Sequence, residues 1–258
     1  MDHVVPAQGA DRDTAVARAA TALRDGHLVV LPTDTVYGVA ADAFNPQGTR
    51  KIFAAKGRDR RFPLPVLVRS PKQLPGLSPQ LPEAAERLMA AYWPGPLTLV
   101  VPAHTGLRWD LGDNDGTVAV RMPLDEVALA VIREVGPLSV TSANLAGQPP
   151  AATTAQAREQ LGDAVELYLD DGARRSSLAS TIIDLTRSQP QVLRVGVIDT
   201  EQALQVARGE LDPLEAGAQL DAQLAEGADE PDTGGATAPG VSRLDEDRDD
   251  DAARGLDS

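Results

Sequence analysis

Positive charge is concentrated in one short part of a chain that is acidic overall. Residues 50–72 contain eight Lys or Arg side chains and one acidic side chain, whereas the formal net charge of the whole chain is −14. Lys56, Arg58, Arg60 and Arg61 lie within six positions of one another. Such a local field attracts polyanions, and Lys and Arg are the usual ligands of phosphate oxygens. The segment predicts phosphate binding, and a solvated basic turn paired with the acidic end of the chain is the alternative.

Other kinds of catalytic site find little support in the sequence. The chain has no cysteine, which excludes disulfides, thiolate nucleophiles and cysteine-based zinc sites. Its three histidines, His3, His27 and His104, lack metal-ligand spacing, and Ser142 is not part of a G-x-S-x-G elbow. Neither a GxxxxGK[ST] loop nor a GxGxxG fingerprint is present. A nucleotide would therefore have to be bound in neither of these common ways.

Alternating strands and helices must position these residues. Hydrophobic periodicity and Pro or Gly boundaries predict strands at 27–32, 63–68, 96–102, 117–123, 137–142, 165–170, 180–185 and 191–195. Periodicity and capping residues predict helices at 13–26, 49–57, 82–93, 124–136, 154–162 and 200–208. Some strands follow each other without a crossover helix, which favours a mixed sheet. The fold class is therefore α/β, with helices packed on a mixed sheet.

Four loops marked by polar residues, Gly or Pro follow predicted strands or helices. They are "LPTDTVYGVAADAF", "KGRDRRFPLP", "WPGPLT" and "SVTSANLAGQPPA". Each alone is consistent with an ordinary turn or cap. In open α/β sheets, however, ligands bind in the crevice at strand ends, where loops from different strands converge. The four loops together predict one shared binding rim.

The composition divides the chain into two parts. Residues 206–258 carry 15 Asp or Glu and 4 Arg, so −11 of the net charge of −14 lies there. This composition predicts a catalytic domain in residues 1–205 and an acidic, disordered tail in residues 206–258, because such a tail buries too little apolar surface to offset the entropy of ordering it. The N-terminus does not resemble a signal peptide, and no window is apolar enough for a membrane span. We expect a cytoplasmic protein that has no membrane partner.

Seven stretches of the sequence, in this order and spacing, resemble the YrdC-like family of threonylcarbamoyl-adenylate synthases. They are "LPTDTVYGVAADA", "IFAAKGR", "WPGPLTLV", "TVAVRMP", "SVTSAN", "STIIDL" and "VLRVG". The resemblance implies a short, single-domain member with a three-layer α/β fold of the α+β type, in which a twisted mixed sheet and its helices surround a concave basic cavity. It also implies a nucleotidyltransferase that converts L-threonine, bicarbonate and ATP into threonylcarbamoyl-AMP and pyrophosphate, the first step in modifying tRNA.

The same resemblance implies a cofactor, partners and roles for particular residues. Mg2+ would enter with ATP and have no protein ligands, partner proteins of tRNA modification would carry out the later transfer, and tRNA contact is a further expectation. Catalysis would use Lys56 and Arg58. ATP binding would use Lys56, Arg58, Thr117, Ser142, Asn144 and Arg194. Threonine binding would use Thr35, Arg121, Thr141 and Ser180.

The sequence departs from the family pattern at two places. Phe62 and Leu67 stand where many members have Asn and His, and Arg60 and Arg61 are candidates to replace those contacts. Longer members carry an additional C-terminal domain, where this chain has its acidic segment. Two alternatives therefore stay open: a double-stranded RNA or tRNA-binding protein of the same fold without this activity, and a carbamoyl-transfer paralogue.

Overall fold

One mixed sheet forms the centre of the fold in the computed structural model, which describes residues 3–174 and 178–226. Within these residues the sheet has ten strands. They are β1 (Val4–Pro6), β2 (Val29–Leu31), β3 (Gly38–Asp42), β4 (Val66–Leu67), β5 (Leu97–Pro102), β6 (Thr117–Arg121), β7 (Leu138–Ser142), β8 (Leu167–Asp170), β9 (Thr181–Asp184) and β10 (Gln191–Arg194). Their spatial order is β1-β8-β2-β3-β7-β4-β6-β5-β9-β10.

The sheet is mixed, as the sequence predicted. Parallel pairs join β1 to β8, β2 to β8, β4 to β6 and β5 to β9. Antiparallel pairs join β2 to β3, β3 to β7, β4 to β7, β5 to β6 and β9 to β10. In this arrangement the C-terminal end of β7 and the N-terminal end of β3 lie side by side, with Ser142 opposite Gly38.

Helices cover both faces of the sheet and make a three-layer structure. The α-helices in the described residues are α1 (Arg12–Arg24), α2 (Pro46–Lys56), α3 (Leu74–Leu77), α4 (Glu83–Tyr92), α5 (Glu126–Val135), α6 (Thr154–Leu161), α7 (Thr200–Arg208) and α8 (Pro213–Glu226). No helix among them is long and apolar enough to cross a bilayer.

Successive side chains of the strands point to opposite faces of the sheet, and each face has its own hydrophobic core beneath the helices. Val29 and Leu31 pack with α1 and α5 in one core, whereas Leu28 and Val30 belong to the larger core that also holds residues of α2, α4, α6, α7 and α8. Because successive residues of a strand point to opposite faces, a continuous apolar run is the pattern expected of a strand covered on both sides.

The prediction of a loop at residues 33–44 was wrong for its second half. Residues Gly38–Asp42 form β3, which lies between β2 and β7 in the interior of the sheet. Gly and Ala have low strand propensity, so the local sequence did not indicate a strand. A Cβ at Gly38 would lie 2.5 Å from the Val140 side chain, so only glycine fits against β7 here.

The predicted boundary at residue 205 was also wrong, because the fold continues to Glu226. Helix α8 packs on α4 and α7 and buries Ala216 and Leu220. A Cβ at Gly217 would lie 2.7 Å from the Ala91 carbonyl oxygen, which shows how closely α8 approaches α4. The acidic composition concealed this helix, because only a few apolar positions of α8 face the core. The rest of the predicted tail, residues 227–258, lies outside the described residues.

These contacts predict different effects for two truncations. Deleting residues 210–258 should lower the melting temperature by roughly 5–10 °C relative to deleting residues 227–258, because the burial of Leu220 and its neighbours is lost. Differential scanning calorimetry of both proteins measures this difference. Gly217→Val in the full chain is a second test, and it should also destabilise the fold. Equal melting temperatures for the two truncated chains would contradict the packing of α8.

Candidate active site

A cavity of about 190 Å3 opens where the polar loops converge. Seven of the predicted site residues line it: Thr35, Arg58, Arg121, Thr141, Ser142, Ser180 and Arg194. They come from the loop after β2, the segment after α2, the end of β6, the end of β7, the start of β9 and the end of β10. The geometry therefore brings the predicted loops together at one cavity.

Arg121 is the most firmly held cation of the cavity. Its Nε donates to the Gly95 carbonyl oxygen at 3.0 Å, and its Nη1 donates to Thr35 Oγ1 at 3.2 Å. Its Nη2 lies 2.6 Å from Asp34 Oδ1, and only 8% and 10% of the two side chains are exposed. Asp34 Oδ1 also accepts the backbone N–H of Leu124 at 3.0 Å. Such a buried ion pair requires these additional hydrogen bonds to offset the cost of desolvation.

The "TDT" turn presents hydroxyl groups next to Arg121. Thr33 Oγ1 donates to the Val36 carbonyl oxygen at 2.6 Å and accepts the backbone N–H of Thr35 at 3.2 Å. The two threonine hydroxyl oxygens are 3.0 Å apart. This local bonding, typical of Ser and Thr in turns, fixes the Thr35 hydroxyl between Thr33 and Arg121.

Arg194 reaches the cavity through an irregularity at the edge of the sheet. The register of β9 and β10 shifts between Val192 and Arg194, as in a β-bulge, which re-aims a side chain. Arg194 then donates from Nε to the Ser180 carbonyl oxygen at 3.0 Å and from Nη2 to Ser180 Oγ at 2.9 Å. Ser180 Oγ is also 2.8 Å from Thr98 Oγ1. Burial, with smaller contributions from Arg121 and Arg58, lowers the pKa of Arg194 to about 10.

Arg58 follows α2 and is held by backbone carbonyl groups. Gly57 ends the helix in the left-handed region at φ 60°, a conformation that costs glycine little. Arg58 donates from Nε to the Phe62 carbonyl oxygen at 2.8 Å and from Nη2 to that of Pro63 at 3.2 Å. Its guanidinium also lies 6.0 Å from the centre of the Phe62 ring. Burial lowers the pKa of Arg58, as it does for Arg194.

The cavity is positively charged because cations line it without an equal number of acids. Arg58, Arg121 and Arg194 all line it, and no Asp or Glu is among its described lining residues. Asp34, which is not among the lining residues, neutralises the guanidinium group of Arg121. The other two hydrogen-bond mainly to carbonyl oxygens, which carry no net charge. An anionic ligand is therefore the natural counter-charge.

Three predicted site residues do not line the cavity. Thr117 lies at the opposite end of β6 from Arg121, pairs with Pro102, and donates from Oγ1 to the Asn114 carbonyl oxygen at 2.8 Å. Its assignment to ATP binding came from the resemblance to the family, which does not show that this end of the strand lies away from the cavity. Lys56 and Asn144 are buried beside the cavity and contact each other.

The two candidate substitutes for the family contacts also lie outside the lining residues. Arg60 forms an ion pair with Asp110, and Arg61 forms one with Asp59 at 2.8 Å. Each arginine therefore has a carboxylate partner of its own. Leu67, by contrast, lines the cavity and gives it an apolar wall.

Several lining or supporting residues were missed in the sequence. Thr33, Tyr37 and Thr98 line the cavity, and Asp34 pairs with Arg121. The Tyr37 hydroxyl donates to the Gly172 carbonyl oxygen at 2.7 Å, and burial raises its pKa to about 12. These residues lie in or beside the polar loops, which was an indication that they are near the cavity. Which of them line it or support it depends on contacts between distant segments of the chain.

The described residues contain no group of three or more His, Cys, Asp or Glu side chains that could hold a metal ion.

The chain matches a family model described as "Telomere recombination", the Sua5/YciO/YrdC model, over residues 21–196. The chain belongs to this family. It is 48% identical over 195 residues to a Mycobacterium tuberculosis protein that is provisionally named threonylcarbamoyl-AMP synthase, and the match covers 76% of this chain and 90% of that one. It is 40% identical over 185 residues to the threonylcarbamoyl-AMP synthase of Pyrococcus abyssi, covering 71% of this chain and 54% of that one.

Solved structures of family members have the same fold. The crystal structure of Pyrococcus abyssi Sua5 complexed with L-threonine superposes with a TM-score of 0.76 at 36% identity, covering 81% of this chain and 62% of that one. Escherichia coli YciO superposes with a TM-score of 0.69 at 23% identity, covering 77% of this chain and 96% of that one. The second similarity shows the fold alone.

The environment of Lys56 predicts a measurable pH dependence of stability. Burial, with a smaller contribution from Arg58, lowers the pKa of Lys56 from 10.5 to about 8. Between these two pH values the unfolded chain binds a proton that the folded chain has lost. The free energy of unfolding should therefore rise with pH through this window, by up to about 1.4 kcal/mol per pH unit.

Denaturant unfolding of the wild type and of Lys56→Met between pH 7.5 and 9.5 isolates this contribution. The difference in the free energy of unfolding, wild type minus variant, should increase with pH. Lys51→Met is the matched control, because it removes a lysine that donates to the Gly26 carbonyl oxygen at 2.6 Å, away from the cavity. A difference for Lys56→Met that stays constant with pH would contradict the lowered pKa.

Proposed function

We propose that this protein is an L-threonylcarbamoyladenylate synthase, which forms threonylcarbamoyl-AMP and pyrophosphate from L-threonine, bicarbonate and ATP. The observation that carries the proposal is the cavity itself, in which Arg121 is fixed beside the Thr35 hydroxyl together with two further guanidinium groups. The names of relatives up to 48% identical, and the L-threonine complex of Pyrococcus abyssi Sua5, support it.

Arg121 and the hydroxyl groups around it form the amino acid subsite in this proposal. The guanidinium of Arg121 binds the substrate carboxylate, since Arg matches the planar geometry of a carboxylate. Thr35, Thr141 and Ser180 offer hydroxyl groups that can donate to or accept from the substrate. Asp34 keeps Arg121 in place at the lining of the cavity.

Arg58 and Arg194 form the phosphate subsite. The threonine amine and bicarbonate condense to a carbamate with loss of water. A carbamate oxygen then attacks the α-phosphorus of ATP, and the bond to the bridging oxygen breaks to release pyrophosphate. Both reactants are anions, so positioning and neutralisation of charge must supply most of the rate acceleration. Mg2+ bound to the triphosphate would contribute further positive charge.

The size of the cavity limits how the nucleotide can lie. Its volume of about 190 Å3 is smaller than the roughly 300–1,000 Å3 of pockets that enclose drug-sized ligands. The amino acid and the reacting phosphate therefore occupy the enclosed part, and the rest of ATP extends across the open rim. In this proposal Ser142, which ends β7 and lines the cavity, bonds the ligand at this rim.

The product implies partners that consume it. A mixed anhydride of a carbamate and AMP is an activated acyl donor, so the threonylcarbamoyl group has to be passed to an acceptor before water attacks it. In this proposal the acceptor is a tRNA adenosine, and separate tRNA-modification proteins carry out the transfer in the cytoplasm. Direct contact of this chain with tRNA is part of the same proposal.

Arg58 gives a direct test of the reaction. The purified protein is incubated with L-threonine, bicarbonate, ATP and Mg2+, while pyrophosphate release and the mass of the adenylate product are measured. Arg58→Met should lower turnover at least about tenfold, because one phosphate-neutralising group is lost. Arg133→Met, which removes an exposed arginine of α5, should behave as wild type. Undiminished turnover of Arg58→Met would contradict the role of Arg58, and no adenylate from the wild type would contradict the proposed function.

The amino acid subsite predicts substrate choice. Serine lacks only the methyl group of threonine, and a missing methyl typically costs about 1–3 kcal/mol. Valine lacks the hydroxyl group and would bury a methyl group against the polar lining of the subsite, which costs more. Serine should therefore stimulate pyrophosphate release weakly at high concentration, and valine should not exceed the background without amino acid. Equal stimulation by valine and threonine would favour a paralogue with another acceptor.

A further inference from the structure

Lys56 and Arg58 are two residues apart but point to different places. Arg58 lines the cavity, whereas Lys56 is absent from its lining and is only 3% exposed. The reason is Gly57, whose left-handed conformation ends α2 and turns the chain. Lys56 is the last helical residue, so its side chain is directed by the helix, whereas that of Arg58 is directed by the following loop.

The ammonium group of Lys56 donates hydrogen bonds to three oxygen atoms of the turn after β7. It donates to the Ser142 carbonyl oxygen at 2.5 Å, to the Asn144 carbonyl oxygen, and to Asn144 Oδ1 at 3.4 Å. A lysine ammonium has three donor hydrogens. All three therefore have acceptors within the protein, and none is left for a phosphate oxygen.

The backbone of Lys56 contacts the same turn. Its carbonyl oxygen accepts the backbone N–H of Ala146 at 2.9 Å. Asn144 closes the turn from inside, donating from Nδ2 to the carbonyl oxygens of Leu145 at 2.8 Å and Gln148 at 2.7 Å. Three carbonyl or amide oxygens thus converge on one buried cation, so the turn needs Lys56 to offset their desolvation.

We propose that Lys56 is a positioning residue, which joins the end of α2 to the turn at residues 142–146 and does not contact the ligand. Thr141 and Ser142 line the cavity at the start of this turn, and Arg58 lines it just beyond α2. The link through Lys56 therefore sets the distance between the hydroxyl groups of β7 and the guanidinium of Arg58. This assignment rests on the proposed function only for what the cavity binds, since the contacts of Lys56 are independent of it.

Chemical modification of the lysines tests the assignment without any need for turnover. The chain has only three, Lys51, Lys56 and Lys72, so each can be followed by mass spectrometry after reductive methylation with formaldehyde and a borohydride. Lys72 is exposed and serves as the reactive reference. Lys56 should react at least about tenfold more slowly, because its amine becomes accessible only when the structure opens locally. Adding ATP and Mg2+ should not speed this reaction, because a bound ligand stabilises the closed structure.

A Lys56 amine that binds the nucleotide would give a different pattern of methylation. An amine that contacts phosphate would be open to the reagent in the free protein and shielded by the nucleotide. Methylation of Lys56 at the rate of Lys72, with protection by ATP, would therefore overturn the assignment. Because pyrophosphate release is not measured, a failure of the proposed function would not alter this readout.

A double-mutant cycle tests the coupling through the turn. If Lys56 acts through the turn, Lys56→Met and Asn144→Leu should each lower turnover, and the double variant should be no slower than the slower single variant. Independent losses that multiply would mean that Lys56 acts on the ligand directly, and would overturn the assignment. In the cycle of Lys56→Met with Arg58→Met, the combined loss should also be smaller than the product of the single losses, because the link through Lys56 positions Arg58. Thermal melting of each variant identifies any that fail to fold.

Discussion

Three guanidinium groups line one cavity, where Arg121 is buried and Arg58 is half-buried, and the rest of the site depends on how the protein tolerates them. Burying a cation without a partner is costly, and like charges close together raise that cost. The structure gives full charge compensation to only one of the three, Arg121, through Asp34. Arg58 and Arg194 are held by carbonyl and hydroxyl oxygens instead. Carbonyl dipoles stabilise a cation without cancelling its charge, so the cavity stays positive and an anion gains by entering it.

This constraint explains why the lining comes from irregular backbone. Carbonyl groups inside a regular strand are already paired with a neighbouring strand. Free carbonyl groups are therefore found where strands end, bulge or contain proline. Pro63 and Phe62, just before the two-residue strand β4, supply the carbonyls for Arg58, and the register shift of β10 brings Arg194 to the carbonyl of Ser180. The regular sheet serves mainly to hold these irregular segments at fixed distances.

Sequence patterns predicted the parts of this arrangement that depend on local periodicity and on motif composition. The mixed sheet, most helices and the basic segment with Arg58 follow from them, whereas the other six cavity residues were implied by the resemblance to the family. β3 was missed because "GVAAD" has few strand-forming side chains and owes its conformation to its place between β2 and β7. α8 was missed because its acidic composition outweighed the two apolar residues that it buries. The pair of Asp34 with Arg121 joins residues 87 positions apart in the chain, and no local pattern indicates such a contact.

Lys56 shows that two residues of one sequence motif can point to different parts of the structure. Two cations separated by one residue suggest a joint action on one anion, but the direction of a side chain depends on the backbone that carries it. At the end of a helix that direction changes within one residue, since Gly57 adopts a positive φ. The cation before the glycine therefore meets the carbonyl groups of the next loop, and the cation after it faces the cavity.

The same reasoning explains how the site accommodates Phe62 and Leu67, where the resemblance to the family implies polar residues. The group at position 62 that contacts Arg58 as a hydrogen-bond acceptor is the backbone carbonyl, which every residue type provides. The Phe62 side chain is 61% exposed and adds a ring beside the guanidinium, so an amide at this position is not required to hold Arg58. Leu67 removes a polar group from the lining but also lowers the local polarity, which strengthens the electrostatic attraction between the remaining guanidinium groups and an anionic ligand. A site built on backbone carbonyls can therefore change side chains at its rim and keep its charge.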